Sequence, residues 1–225
     1  MTDGSRPVGD RSAPSADGAG SGLWITFEGG DGSGKTTQAA LLEEWLKAQG
    51  RTVVRTREPG GTEVGNLVRD IVLHHRGDIA PRAEALLYAA DRAHHVVTLV
   101  RPALARGEVV IQDRYLDSSV AYQGAGRVLD ADEVRDLSLW AADGALPDLT
   151  VLLDIDPDAA RARLDADDKP FDRLEAEKAE FHGRVREAYL ALAAAEPRRF
   201  LVLDATRPAD QLAGEIRRRV TEVLR

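Results

Sequence analysis

A chain of 225 residues, 43% hydrophobic and 30% charged, has the make-up of one globular domain large enough for a layered core. Its formal charge of −8 argues against a nucleic-acid or anionic-membrane surface, and its lack of cysteine excludes disulfides and thiol chemistry. No apolar run approaches the ~20 residues of a membrane span, so the expected setting is the cytoplasm, with no membrane partner.

In chain order, residues 1–22 are Gly, Ser, Asp, Ala and Pro with little to bury and no signal-peptide core, and read as a disordered tail. A single domain, residues 23–225, follows. Short apolar runs at 23–28, 52–57, 109–112, 149–154 and 200–203 read as strands. Helical patterns lie between them at 35–49 (closed by Gly50), 63–73, 82–106 (closed by Gly107), 131–142, about 173–194, and 209–224. Asp130 and Glu133 make a capping pair for the helix at 131. Continuous apolar strands separated by helices predict an α/β fold, a five-stranded parallel sheet flanked by helices in three layers. The five histidines show no metal-ligand spacing and read as surface or helix-packing residues.

Between the first strand and the first helix stands Gly29-Gly30-Asp31-Gly32-Ser33-Gly34-Lys35-Thr36, followed by Thr37. Strand, glycine loop and helix are the context of a phosphate-binding P-loop. Glycines let successive N–H groups face inward around a triphosphate, and the helix dipole adds positive potential there. Lys35 is placed to reach the β/γ-phosphates and Thr36 to offer its hydroxyl to Mg²⁺. The fold class is therefore that of a P-loop NTPase, with ATP as the expected donor. The loop alone names no acceptor.

In such sheets ligands sit beyond the carboxyl ends of the strands. Strand two runs into Arg57-Glu58-Pro59-Gly60-Gly61-Thr62 and strand three into Asp113-Arg114-Tyr115. Asp113 stands where P-loop proteins keep a carboxylate for Mg²⁺, and Arg114 offers a planar fork for phosphate oxygens. Tyr88 and Arg92 are four apart on one helix, so they share a face that can stack a base and bond its edge; a core tyrosine beside a solvated arginine gives the same pattern. The polar run 117–124 can read a small ligand or simply begin a helix.

Together these segments resemble the bacterial thymidylate kinase family, over about residues 23–224. The resemblance rests on Phe27 to Thr37, Arg57 to Thr62, Asp91-Arg92, Asp113-Arg114-Tyr115, Ala121-Tyr122-Gln123-Gly124 and Asp172-Arg173-Leu174-Glu175. It implies phosphoryl transfer from ATP to dTMP with Mg²⁺, in a homodimer packed through long helices. It implies that Asp31 meets the acceptor nucleotide, that Glu58 and Asp113 serve Mg²⁺ and its waters, and that Arg69 and Arg114 lie near the acceptor phosphate. Tyr88 takes the place of an aromatic that stacks on thymine. Arg92, Ser119 and Gln123 match residues that read the thymine edge, and Tyr122 matches one that crowds the sugar 2′ position.

The departure from the family pattern lies in the lid, about residues 157–173. Relatives with glycine at the position of Gly32 place a catalytic arginine in the lid, but here 164–172 is acidic. Arg163 and Arg173, ahead of Lys169, are the cations that would replace it. Two rival readings use the same loop: another nucleoside monophosphate kinase, and a P-loop ATPase or nucleotide switch. Both leave Arg57 to Thr62 or Tyr122 to Gly124 less well explained.

Overall fold

The computed structural model describes residues 22–126, 129–166 and 172–224. The tail expected over 1–22 therefore falls outside the described residues but for Gly22, as does the lid segment 167–171 with Lys169. Five strands, β1 (Leu23–Glu28), β2 (Val53–Arg57), β3 (Val109–Asp113), β4 (Leu149–Asp154) and β5 (Phe200–Asp204), form one parallel sheet in the order β2-β3-β1-β4-β5. β1 lies in the middle, with Phe27 level with Asp113 of β3 and with Val151 of β4.

Alternation along β1 divides the core. Leu23, Ile25 and Phe27 face α1 (Lys35–Ala48) and the C-terminal helix Ala209–Val223, packing with Leu42, Leu46, Leu212 and Ile216. Trp24 faces the other layer with Val96, Val100, Val110 and Tyr115. The central strand is buried throughout, as a sheet covered on both faces requires.

On that second face, α2 (Glu63–His74) and α3 (Pro81–His95) precede β3. The helix expected over 82–106 is continuous but not uniform. After His95 it widens into a π turn, Val96–Val100, before α4 (Arg101–Ala105). Pro102 is the physical reason: it has no N–H to donate and its ring crowds the carbonyl one turn back, so the ladder shifts register. After β3 the run read as polar is helical, α5 (Leu116–Ser119) continuing as a π turn, Val120–Ala125.

α6 (Ala131–Ala141) is capped by Asp130, which accepts from the N–H groups of Asp132 and Glu133. The lid region contains α7 (Pro157–Ala166), opened by a proline at its first position. The helix expected from 173 starts later, as α8 (Ala179–Ala195). Asp172 and Glu175 instead cap each other's N–H groups, 2.9 Å both ways, around a separate turn. The C-terminal helix Ala209–Val223 is α9.

Candidate active site

β1 delivers the chain to the glycine loop and α1 carries it away. Gly29 (φ 131°) permits a close approach: a Cβ there would lie 2.4 Å from the Leu153 carbonyl oxygen of β4. Lys35 folds back along the loop and donates from Nζ to the carbonyl oxygens of Gly29 (3.0 Å) and Gly30 (2.8 Å). Burial, with the Arg114 charge, pushes its ammonium below the ordinary lysine range. The Ser33 hydroxyl is buried without a hydrogen-bond partner among the described residues. Thr36 and Thr37 are exposed at the helix start and line a cavity of about 480 Å³ together with Asp31, Gly32, Gly34 and Lys35. That volume suits a small-molecule site.

Gly32 (φ 76°) lies beneath α7. A Cβ on it would come within 2.8 Å of the Ala160 carbonyl oxygen, so α7 can pack there only because the side chain is missing. From α7, Arg163 donates to the carbonyl oxygens of Gly32 (3.3 Å) and Ala205 (2.8 Å), and it lines the cavity. Arg173 is held elsewhere. Its Nε donates to the Val72 carbonyl (2.8 Å) and its Nη2 pairs with Glu84 of α3. The two arginines thus have separate partners, Arg163 the glycine loop and Arg173 the helices α2 and α3.

At the end of β3, Arg114 adopts φ 65°, a left-handed conformation few non-glycine residues take. The turn sends its guanidinium back to the glycine loop, where it pairs with Asp31 and lies 5.0 Å over the Tyr122 ring. Tyr122 donates its hydroxyl to the other Asp31 oxygen at 3.2 Å. Burial raises the Asp31 carboxyl, but the Arg114 and Lys35 charges outweigh it and hold it at about 2. Asp113 borders the same space, and its Oδ1 is buried without a hydrogen-bond partner among the described residues. Arg69 of α2 donates to the Pro59 carbonyl (3.0 Å), beside the cavity.

The far end is closed by Tyr88, Arg92, Ser119 and Gln123. Arg92, 1% exposed, donates once from each nitrogen: Nε to Glu58 (3.0 Å), Nη1 to Ser138 (3.0 Å) and Nη2 to Ser119 (3.0 Å). The second Glu58 oxygen meets His95 Nδ1 at 2.8 Å, and His95 Nε2 meets the Thr56 hydroxyl at 2.7 Å. Both Glu58 oxygens are therefore taken, whereas Asp113 keeps an open lone pair. Gln123 donates from Nε2 to Glu84 at 3.0 Å. Burial, with Glu84 nearby, pushes the Tyr88 phenol well above its ordinary range, so it stays neutral.

All the sequence-predicted cavity residues except Arg173, Gly29, Gly30 and Ser33 line this one space. Gly29 and Gly30 line a smaller pocket behind the loop instead. Several supporting residues were not singled out from sequence. Glu28 is fully buried and accepts from Tyr115 N–H (2.7 Å), Ser118 (2.6 Å) and Tyr189 (2.9 Å), while Arg114 donates to that Ser118 at 3.2 Å. Burial and the Asp117 charge raise its carboxyl to about 7. A charged residue at the last position of a strand otherwise apolar but for Thr26 was the available signal. His95 and Ser138 gave none, because their partners lie far away in sequence.

No group of three or more metal-ligating side chains occurs among the described residues. A Mg²⁺ site needs none, since one or two carboxylates, a hydroxyl, phosphates and water suffice. The open Asp113 Oδ1 and the Thr36 hydroxyl are hard oxygen donors of that kind.

Comparison with known proteins agrees with this geometry. The profile of the thymidylate kinase family matches residues 27–216. Thymidylate kinase of Leifsonia xyli is 74% identical over 199 residues, 88% of this chain and 94% of that protein. The Deinococcus radiodurans thymidylate kinase is 53% identical over 201 residues, 89% and 97% of the two chains. The crystal structure of thymidylate kinase from Ehrlichia chaffeensis superposes with a TM-score of 0.68 at 34% identity, covering 81% of this chain and 93% of that one. A glycine loop, the helix α7 seated on it and a cavity lined by Tyr88 and Gln123, joined to similarity across nearly the whole described chain, place this protein in the thymidylate kinase family.

Proposed function

We propose a division of labour among these residues for the family reaction, ATP-dependent phosphorylation of dTMP to dTDP. The observation that carries it is a single cavity lined at once by the glycine loop, by Arg114 and by Tyr88 and Gln123. Loop N–H groups and Lys35 hold the donor phosphates, Lys35 exchanging its carbonyl partners for phosphate oxygens. Arg163 brings positive charge from the lid helix to the transferring phosphoryl. Arg114 and Arg69 hold the acceptor phosphate, with Asp31 fixing the Arg114 fork. Tyr88 stacks on thymine, Arg92, Ser119 and Gln123 face its edge, and Tyr122 crowds the sugar 2′ position.

The acceptor is an ionised phosphate oxygen and needs no general base, so catalysis is positioning and charge neutralisation. Asp113 and Thr36 would hold Mg²⁺, which when bound neutralises charge on the donor phosphates. Glu58 supports that region from behind through Arg92 and His95. A homodimer is supported by an exposed apolar stripe, Val64, Leu67 and Ile71 of α2 with Leu86 and Val97 beyond it. Val96 and Val100 of the same long helix are buried in the chain's own core. A cysteine-free chain acting on ATP and dTMP is assigned to the cytoplasm.

Steady-state ADP release with ATP and Mg²⁺ tests the assignment across a panel of nucleoside monophosphates. dTMP should be the fastest acceptor; a faster rival would overturn the substrate, and acceptor-independent hydrolysis would favour an ATPase. Lys35→Met should lower kcat by ~10³ or more with the circular dichroism spectrum unchanged.

A further inference from the structure

On the reading that dTMP is the acceptor and Gln123 meets its base, we propose that Glu84 is a specificity-determining positioning residue. Its carboxylate, clamped by Arg173, orients the Gln123 amide so that the pocket presents an acceptor and demands an N–H donor from the base.

Glu84 sits in the first turn of α3 and is fully buried. Its Oε1 lies 3.0 Å from Gln123 Nε2, and its Oε2 pairs with Arg173 Nη2. A carboxylate paired with a guanidinium accepts hydrogen bonds and has none to donate. The Gln123 amide must therefore turn its NH₂ toward Glu84, which sends Oε1 the other way. Gln123 is 1% exposed and borders the cavity beside Tyr88, one helical turn on from Glu84. Without Glu84 the amide could flip and offer a donor instead.

The consequence is chemical. Thymine and uracil carry N–H at ring position 3, which a glutamine oxygen satisfies; cytosine carries a lone pair there, which the same oxygen opposes. Two buried acceptors facing each other leave both unsatisfied, enough for about tenfold discrimination or more. Arg92 offers only donors to the neighbouring edge position and adds its own preference, so loss of Glu84 should remove only part of the selectivity. Arg173 thereby has a task away from the transferring phosphoryl: it holds the carboxylate that holds the amide.

The test compares kcat/KM for dTMP and dCMP. Glu84→Gln nearly preserves shape but can donate, so Gln123 is free to flip; the dTMP-to-dCMP ratio should fall about tenfold. Gln123→Leu should lower the same ratio, and adding Glu84→Gln to it should lower the ratio no further, because the two act as one unit. An equal fall for both acceptors in Glu84→Gln, or effects that multiply in the double variant, would overturn the proposal. If Glu84→Gln does not fold, Glu84→Asp decides by the same ratio. It keeps the charge opposite Arg173 but withdraws it from the amide; an unchanged ratio would overturn the proposal. Wild-type protein that prefers a purine monophosphate would instead overturn the substrate reading itself.

Discussion

At the glycine-loop end of the cavity, assigned to the donor, the Lys35 contacts run to carbonyls only six and five residues earlier, although Arg114 and Arg163 reach Asp31 and Gly32 from far along the chain. At the base end they run between side chains far apart in sequence. Arg92 joins Glu58, Ser119 and Ser138 at separations of 34, 27 and 46 residues. The Lys35 seat is thus a local conformation carried by one loop and one helix start. The base end exists only when α3, α5, α6 and the loop after β2 have all packed. Damage at the first end should fall on rate, and damage at the second on stability and selectivity together.

The largest expected effect separates the two lid-region arginines. Arg163 lines the cavity at Gly32, so Arg163→Ala should lower kcat by ~10³, the lower end of what a phosphoryl-facing arginine contributes, with little change in the KM for dTMP. Arg173 is tied to Glu84 and Val72, so Arg173→Ala should act mainly through the dTMP KM, with kcat within about tenfold of wild type. Equal losses of kcat would break the distinction between the two ends.

A smaller effect should appear in stability. Glu58 and Arg92 are 3% and 1% exposed and directly paired. Glu58→Gln leaves Arg92 charged and uncompensated, and turns an NH₂ toward either Arg92 or His95. The expected loss is about 3 kcal/mol by urea denaturation. The exposed Thr37 of the donor loop provides the contrast, since Thr37→Ala should stay within about 0.5 kcal/mol. Similar costs at both positions would mean that the base-end network is not the cooperative unit its long-range contacts describe.

The same contrast governs what could be read before folding. The glycine loop, its flanking strand and helix, and Asp113 at a strand end were legible because their chemistry depends on neighbours in sequence. The three central strands, β1, β3 and β4, were legible because near-complete burial demands apolar runs, and the half-exposed edge strands β2 and β5 keep shorter ones. The π turn after His95 was not, since helical periodicity hides a change of register and Pro102 alone does not say where it falls. Tyr88, Arg92, Ser119 and Gln123 could be named from the family pattern. Their internal partners Glu84 and Ser138 could not, because nothing local marks a side chain as the neighbour of one 39 or 46 residues away. The start of α8 at Ala179 escaped for a different reason: Asp172 and Glu175 form a helix-capping pair, but it closes only one turn.

The smallest expected effect is a pH dependence in which the base end takes part through Asp91. Asp91 lies behind the loop after β2. Its Oδ2 accepts from the Gly60 N–H at 3.1 Å, and its Oδ1 is buried without a hydrogen-bond partner among the described residues. Burial and the Glu58 charge raise its carboxyl to about 7, against the weaker pull of the Gly60 N–H, His95 and Arg92. A carboxyl whose folded pKa is raised stabilises the fold below its ordinary pKa of 3.8, and that stability is lost as pH rises toward 7. Asp31, held at about 2, has the opposite sign, but its window lies between 3.8 and 2, where stability is lost as pH falls. Between pH 5 and 7 the wild type should therefore lose on the order of 2 kcal/mol through Asp91, with Glu28 adding a slope of the same sign. Asp91→Asn keeps the shape and cannot ionise, so its urea midpoint should vary less over that range while the Glu28 part persists. A variant slope equal to that of wild type would show that Asp91 does not ionise in this window. The long-range network would then owe its stability to the Arg92–Glu58–His95 contacts alone.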